Sequence, residues 1–306
     1  MDQHQQHHDG ERPDEDDRGH RNNHGPQAIL HHLDPGRMDL EQGEILRAWA
    51  LKNAVEQDPD TSALSDYELV QIALVTTDVD EAMEKVQMLH QFRKEYNIVE
   101  SVDHARFCIQ EVMRLFPGYL LSFTFFREGD MHSGHYGLVQ DATKLNAKLI
   151  PKSGGPAMNM LLATAYFCFQ AMNPDFEAVR RGVVSLLECE NFDWKQHVTF
   201  GGVKQMYLDF FMHYPTKWHQ ARNYHTGVLF NLLASMCRPF QTEDLRESWQ
   251  IGCMSPGGRL DTIFLQPNLQ AANERFIHRV ANILELRYNH EASFVLPPLV
   301  NQPAAG

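Results

Sequence analysis

The chain has 306 residues, of which 43% are hydrophobic and 22% are charged, and its formal net charge at pH 7 is −13. This length suits one large domain or two modest ones and supplies enough apolar residues for a sizeable core. The acidic balance argues against non-specific binding of nucleic acid, which needs a basic surface. It also argues against permanent electrostatic adhesion to anionic membranes.

The cysteines and the apolar segments bear on the cellular compartment. Five cysteines are scattered through the chain without a CxxC pair: Cys108, Cys168, Cys189, Cys237 and Cys253. This usage predicts buried thiols in a reducing compartment rather than a disulfide framework or a zinc site. The sequence contains neither a signal-peptide pattern nor a run of about 20 apolar residues. We therefore expect a soluble, cytoplasmic protein.

Residues 1–38 differ in composition from the rest of the chain. They consist mostly of Asp, Glu, His, Arg, Gln, Asn, Gly and Pro, which predicts a disordered, acidic, His-rich tail. Without ordered geometry the histidines do not predict a metal site. The tail's acidic charge is suited to recruiting a basic protein partner.

The apolar spacing becomes helical from Leu40 onward. Helices are predicted over 40–55, 67–75, 79–92 and 105–116, and the last of them stops at Pro117-Gly118. Asp39 is the expected N-cap of the first helix, and Ser65 or Asp66 that of the second. Residues 39–116 are therefore predicted to form a helical N-terminal unit.

Strands and helices alternate after Pro117. Strands are predicted over 119–126, 135–141, 182–188, 220–224, 249–253 and 260–265, and helices over 156–172, 200–211, 227–237 and 272–284. The run 182–188 is almost continuously apolar, as expected of a central parallel strand. The predicted fold is α/β: a mostly parallel sheet flanked by helices over 117–294, followed by a C-terminal tail over 295–306.

Motifs of the common enzyme classes do not occur. The sequence has no GxxxxGK[ST], GxGxxG, GxSxG or HExxH pattern. His213, His219 and His225 are spaced six residues apart across several predicted elements, which does not favour a shared metal. We therefore expect no enzyme activity, no catalytic residue, no cofactor and no metal.

One helix is apolar on almost every side. Between Val228 and Met236 the polar residues are Asn231 and Ser235, and none of the residues is charged. Such a helix is either buried between layers or contacts something apolar that is not protein. The helix 156–172 has a similar surplus of apolar residues, and composition alone favours a plain core for both.

The order of these elements resembles the CRAL-TRIO lipid-binding family. The resemblance covers about 40–294 and is strongest in GVVSLLECENF (182–192), MYLDFFMHYPTKW (206–218) and GVLFNLLASMCRPF (227–240). In that family the sheet forms the floor of an apolar pocket, and the helix matched here by 228–236 is a gate that admits one lipid. The position of Ser185 carries a hydroxyl that meets the ligand in phospholipid-binding relatives.

The resemblance implies a soluble protein that binds one hydrophobic lipid and makes transient contact with a membrane surface. On the strand, Val183, Ser185 and Leu187 share one side, which is the expected pocket side. The full set of expected lipid-binding residues is Phe123, Phe125, Tyr166, Phe169, Val183, Ser185, Leu187, Phe210, Val228, Leu229, Phe230, Leu232, Leu233 and Met236. Thr216 and Lys217 follow Tyr214-Pro215 where phospholipid-transfer members have Glu-Arg. The resemblance therefore does not predict which lipid headgroup the protein binds.

Two alternatives belong to other functional classes. The first is a non-catalytic scaffold for protein interactions on the same fold, in which side chains fill the pocket. Tyr166, Phe169, Phe210 and Phe230 would fill it in that case, whereas open volume between them favours a lipid. The second, ranked third, is a phosphatase or esterase, for which the sequence offers no activated nucleophile.

Overall fold

The N-terminal helices begin at side-chain caps. In the computed structural model of the protein, α1 spans Gln42–Val55, α2 Asp66–Leu74, α3 Val79–Glu95 and α4 Val102–Leu115. Ser65 and Glu68 form a reciprocal capping box, in which the Ser65 hydroxyl accepts from the Glu68 amide and the Glu68 carboxylate accepts from the Ser65 amide. The side chains of Asp78 and Ser101 cap α3 and α4 by accepting from the amides of Glu81 and His104, without a reciprocal partner.

The structure describes residues 40–57, 64–116, 124–126, 135–141, 149, 155–189, 214–240, 243–253 and 269–299. The predicted N-terminal tail, the predicted helix 200–211 and the predicted strand 260–265 lie outside the described residues.

The remaining elements alternate between strands and helices. In chain order they are β1 (Thr124–Phe126), β2 (Gly137–Asp141), α5 (Pro156–Met172), α6 (Phe176–Arg181), β3 (Val183–Glu188), β4 (Trp218–Tyr224), α7 (Val228–Cys237), α8 (Glu243–Ser248), β5 (Trp249–Cys253) and α9 (Leu269–Ser293). A 3₁₀ turn, Arg238–Phe240, follows α7. The protein is therefore α/β, with a helical segment ahead of the sheet.

The sheet has its five strands in chain order. β1 pairs antiparallel with β2, and β2, β3, β4 and β5 are parallel. β3 is the central strand, with Ser185 opposite Leu138 of β2 and Ala221 of β4. Gly182 leads from α6 into β3 at φ +79°, and a Cβ there would lie 2.9 Å from the Lys217 carbonyl oxygen. Only glycine permits this close approach of β3 and β4.

One apolar core joins the helices to the sheet. Its buried members include Leu51 of α1, Val86 of α3, Leu161 of α5, Val183 of β3 and Leu284 of α9. Phe294 stacks edge-on against Tyr67 and Phe176, beyond the end of α9. In the predicted C-terminal tail, which starts at residue 295, the Leu296 amide donates to Asp66 and the Pro297 carbonyl oxygen accepts from Trp49. The first residues of that tail therefore pack against the helical segment. In the part of the chain that the structure describes, no helix combines the length and apolarity needed to cross a membrane.

Several predicted boundaries need correction. Glu41, not Asp39, is the N-cap of α1, where its side chain and that of Glu44 form a capping box. Of the two residues predicted as the N-cap of α2, Ser65 is the one that caps it. The strand expected over 220–224 begins at Trp218, and the closing helix, expected over 272–284, extends over Leu269–Ser293. The short helices α6 and α8 were not predicted, since six residues are too few to display a helical period.

Candidate functional site

The central strand has two unequal faces. Val184 and Leu186 are completely buried, whereas Ser185 and Leu187 on the opposite face are only half-buried. Interior strands of parallel sheets are normally covered on both faces. The Ser185 face is covered at its start, where Val183 belongs to the apolar core, and is less covered toward the carboxyl end of the strand. This is the side that the sequence predicted as the pocket floor.

Helix α7 presents an apolar stripe to solvent. Val228, Leu232 and Met236 follow one another at intervals of four residues and are 85%, 59% and 56% exposed. Their spacing places them on one side of the helix. Leu229, Phe230 and Leu233 belong to the same helix, but their side chains are not among those described. The three exposed residues therefore face away from the protein in this structure.

Tyr166 and Phe169 of α5 lie in an aromatic cluster. Both are buried, and the Tyr166 ring is 5.7 Å from that of Tyr214. Phe169 packs against Tyr214 and Trp218 at 5.4 and 5.8 Å between ring centroids. The Tyr166 hydroxyl points to the helical segment, where it meets Arg93. Contact of these two rings with a ligand stays a prediction.

Besides Leu229, Phe230 and Leu233, three further predicted lipid-binding residues cannot be placed by their side chains. Phe123 and Phe210 lie outside the described residues, and Phe125 is described by its backbone in β1 alone. Two groups of the predicted residues each share a face of their own element. Val183, Ser185 and Leu187 lie on one face of β3, and Val228, Leu232 and Met236 lie on one face of α7.

A buried polar cluster, which the sequence analysis missed, joins the helical segment to α5. Arg93 of α3 donates to the carboxylates of Glu68 and Glu100, the latter at 2.7 Å. Its Nε and Nη2 also donate to the Tyr166 hydroxyl at 2.9 and 2.7 Å, and that hydroxyl donates to Glu100. Gln170 donates to the same hydroxyl oxygen at 2.8 Å.

Helix α9 completes the polar cluster. The Ser65 hydroxyl donates to Oε1 of Glu291, and the Tyr288 hydroxyl donates to Gln170 at 2.7 Å. Arg287 donates to the Asn173 carbonyl oxygen at 2.9 Å and lies over the Tyr67 ring. Among the described residues, Nε of Arg287 and Oε2 of Glu291 are buried without a hydrogen-bond partner.

The charges in the cluster shift one another's ionisation. Burial opposes ionisation of Glu68, but the charge and hydrogen bond of Arg93 outweigh it and lower the pKa of Glu68. Burial and the nearby Glu68 carboxylate raise the pKa of Glu100. The same two causes raise the pKa of Glu291 from 4.5 to about 7. Burial also raises the pKa of Tyr166 well above its usual value, so the hydroxyl stays protonated.

A small cavity adjoins the cluster. It has about 10 Å³ of space for the centre of a water molecule, and its lining includes Glu68, Arg93, Tyr166, Tyr214 and Arg287. This volume accommodates about one water molecule. The polar cluster is therefore not a lipid pocket.

A signal for the polar cluster is present in the sequence. Glu68 falls inside the apolar run of α2, where it also completes the capping box with Ser65. Arg287 follows Val280, Ile283 and Leu284 at helical spacing, which places it on the buried face of α9. A charged residue on an apolar helix face predicts a buried partner, because an isolated buried charge is costly.

No model of a known protein family and no curated protein matches this sequence. Function is therefore inferred from the residues and their arrangement.

Proposed function

We propose that the protein binds a single hydrophobic lipid between the Ser185 face of the sheet and helix α7, in the manner of the CRAL-TRIO family that its sequence resembles. The observation that carries the proposal is the unequal burial of β3. Ser185 and Leu187 remain half-buried on a central strand whose other face, with Val184 and Leu186, is completely buried. An incompletely covered face on an interior strand is a place for an occupant other than the chain's own side chains.

The order of the elements supports the same proposal. A helical segment precedes the sheet, the strands β2 to β5 run parallel, and α7 lies between β4 and β5. This is the outline on which the sequence resemblance rests. A lipid on this face would gain about 0.8 kcal/mol for each methylene group that it removes from water.

The exposed stripe of α7 supports a transient membrane contact. Val228, Leu232 and Met236 are exposed together, and α7 contains no charged residue. Apolar surface of this kind marks contact with a membrane or with a protein. A helix that moves to admit a lipid would lay such a stripe against the bilayer that supplies it.

The direct test is to identify what the purified protein contains. Native mass spectrometry and lipid extraction should find one lipid per chain, and lipid-free protein should take up a fluorescent phospholipid from vesicles. If no lipid co-purifies and no lipid of a broad panel binds, the proposal is wrong. Recovery of a stoichiometric protein partner from such lipid-free protein would instead favour the scaffold alternative.

A matched pair of variants tests the position of the pocket. Ser185→Leu adds an apolar side chain to the half-buried face of β3 and should lower lipid uptake severalfold while the fold is retained. Ser293→Leu makes the same change at an exposed position near the end of α9 and should leave uptake unchanged. Equal uptake by both variants, with circular dichroism showing both folded, would place the lipid elsewhere.

A further inference from the structure

The carboxyl group of Glu291 has an unusual environment within the polar cluster. Carboxylate oxygens of Glu68, Glu100 and Glu291 lie within 4.8 Å of one another. Arg93 donates to Glu68 and Glu100, whereas within the described part of the chain the Glu291 carboxyl receives the Ser65 hydroxyl on Oε1 alone. Its Oε2 is buried without a donor among the described residues. A buried carboxylate oxygen in this position lacks the hydrogen bond that an ionised group needs.

The charges of the polar cluster do not balance when every group is ionised. Three carboxylates face two guanidinium groups, those of Arg93 and Arg287, and the third negative charge is left beside two others. Protonation of one carboxyl removes the surplus charge. It also turns the unpartnered oxygen of Glu291 into a hydrogen-bond donor, which removes the cost of burying an unpaired charged acceptor.

We propose that Glu291 is protonated in the folded protein at mildly acidic pH, and that this proton attaches α9 to α2, so that the attachment weakens as pH rises through neutrality. The proposal concerns a proton-sensitive contact between the C-terminal helix and the helical segment. It does not depend on lipid binding.

The groups that face Glu291 favour its protonated form. Ser65 and Glu68 face it from α2, Glu100 from the connection between α3 and α4, and Arg287 from its own helix. Burial and the Glu68 carboxylate outweigh the opposing Arg287 and raise the pKa of Glu291 to about 7. Arg287 itself is buried, and its Nε lacks a partner in the described part of the chain, as expected where the adjacent acid is not ionised.

A proton suits this place better than a metal cation. Arg93 already occupies the carboxylates of Glu68 and Glu100, and its positive charge would repel a cation between them. Calcium takes six to eight oxygen ligands, whereas this group offers three carboxylates and one hydroxyl.

The sign of the pH effect follows from proton linkage. Between pH 4.5 and about 7 the folded protein holds a proton on Glu291 that the unfolded chain has released. The stabilising contribution of this group is therefore lost progressively as pH rises through that range. Relative to a variant that cannot titrate there, the unfolding equilibrium constant should rise about tenfold from pH 6 to pH 8.

Glu291→Gln is the informative variant, since its amide mimics the protonated carboxyl at every pH. Urea unfolding of the full chain at pH 6 and pH 8 should show the tenfold difference for wild type relative to this variant. Glu285→Gln, at an exposed position of the same helix, should keep the wild-type dependence. Amide exchange of α9, corrected for intrinsic rates, should accelerate at pH 8 in wild type more than in Glu291→Gln.

Two results would overturn the proposal. The first is an identical pH dependence in wild type and Glu291→Gln, or, if that variant does not fold, a ¹³C carboxyl resonance of Glu291 in wild type that titrates as an ordinary glutamate does. The second is stabilisation of wild type by calcium or magnesium at pH 8 that Glu291→Gln lacks, because the carboxylates would then serve a cation.

Discussion

Replacement of Arg93 by leucine tests the polar cluster directly. The Arg93 side chain is 13% exposed and that of Glu68 only 4%. Leucine would leave the Glu68 carboxylate buried without its cation, and the Tyr166 hydroxyl would lose its donor from α3. Breaking one partner of a buried ion pair costs about 3 to 5 kcal/mol. The lost hydrogen bond to Tyr166 belongs to the same network and is not added separately.

Arg114→Leu is the matched control. Arg114 pairs with Glu111 on the surface of α4, three residues away, and the Arg114 side chain is 65% exposed. Solvent screens that pair, so its loss should leave the free energy of unfolding nearly unchanged. Each variant removes one guanidinium group, Arg93→Leu from α3 and Arg114→Leu from α4. Burial of the ion pair is therefore the main difference between them.

Urea unfolding at pH 7, followed by circular dichroism, measures both variants on one scale. Arg93→Lys should fall between wild type and Arg93→Leu, because an ammonium group keeps the charge but not the fork that reaches two carboxylates and a hydroxyl. A loss of less than about 1 kcal/mol in Arg93→Leu would refute the reasoning, since it would mean that water already solvates Glu68.

Two further predictions concern backbone geometry and a buried hydroxyl. Gly182→Ala should lower stability by at least about 2 kcal/mol, because it combines a positive φ with a Cβ only 2.9 Å from the Lys217 carbonyl oxygen. Gly43→Ala in α1 meets no such obstacle and should be neutral or slightly stabilising when urea unfolding measures both variants. Tyr67→Phe should cost about 1 to 3 kcal/mol in urea unfolding, since the buried Pro174 carbonyl oxygen loses its 2.8 Å donor. A neutral Tyr67→Phe would show that another donor reaches that oxygen.

Local pattern was sufficient to predict most elements of the fold. The Ser65 cap, the apolar spacing of α3 and α4 and the almost continuous apolar run of β3 depend on residues within a few positions of one another. The predicted strand 249–253 coincides with β5 for the same reason. The α/β class followed from the alternation of such segments.

The candidate lipid site was predictable only in part. Alternation along β3 placed Ser185 on the same side as Val183 and Leu187, because successive strand residues point to opposite faces. Which face would be incompletely covered depends on the neighbouring layers. The outward direction of Val228, Leu232 and Met236 likewise depends on where α7 packs, since an apolar helix can turn any side toward the protein.

Sequence by itself determined the helical and strand periods and the order of the elements, because each depends on short-range stereochemistry. Tertiary structure alone decided that Glu68, Glu100 and Glu291, separated by up to 223 positions in the chain, share one buried cluster with Arg93 and Arg287. Ionisation in that cluster depends on distance and burial, and both are set by the packing of α2, α3 and α9 rather than by neighbouring residues.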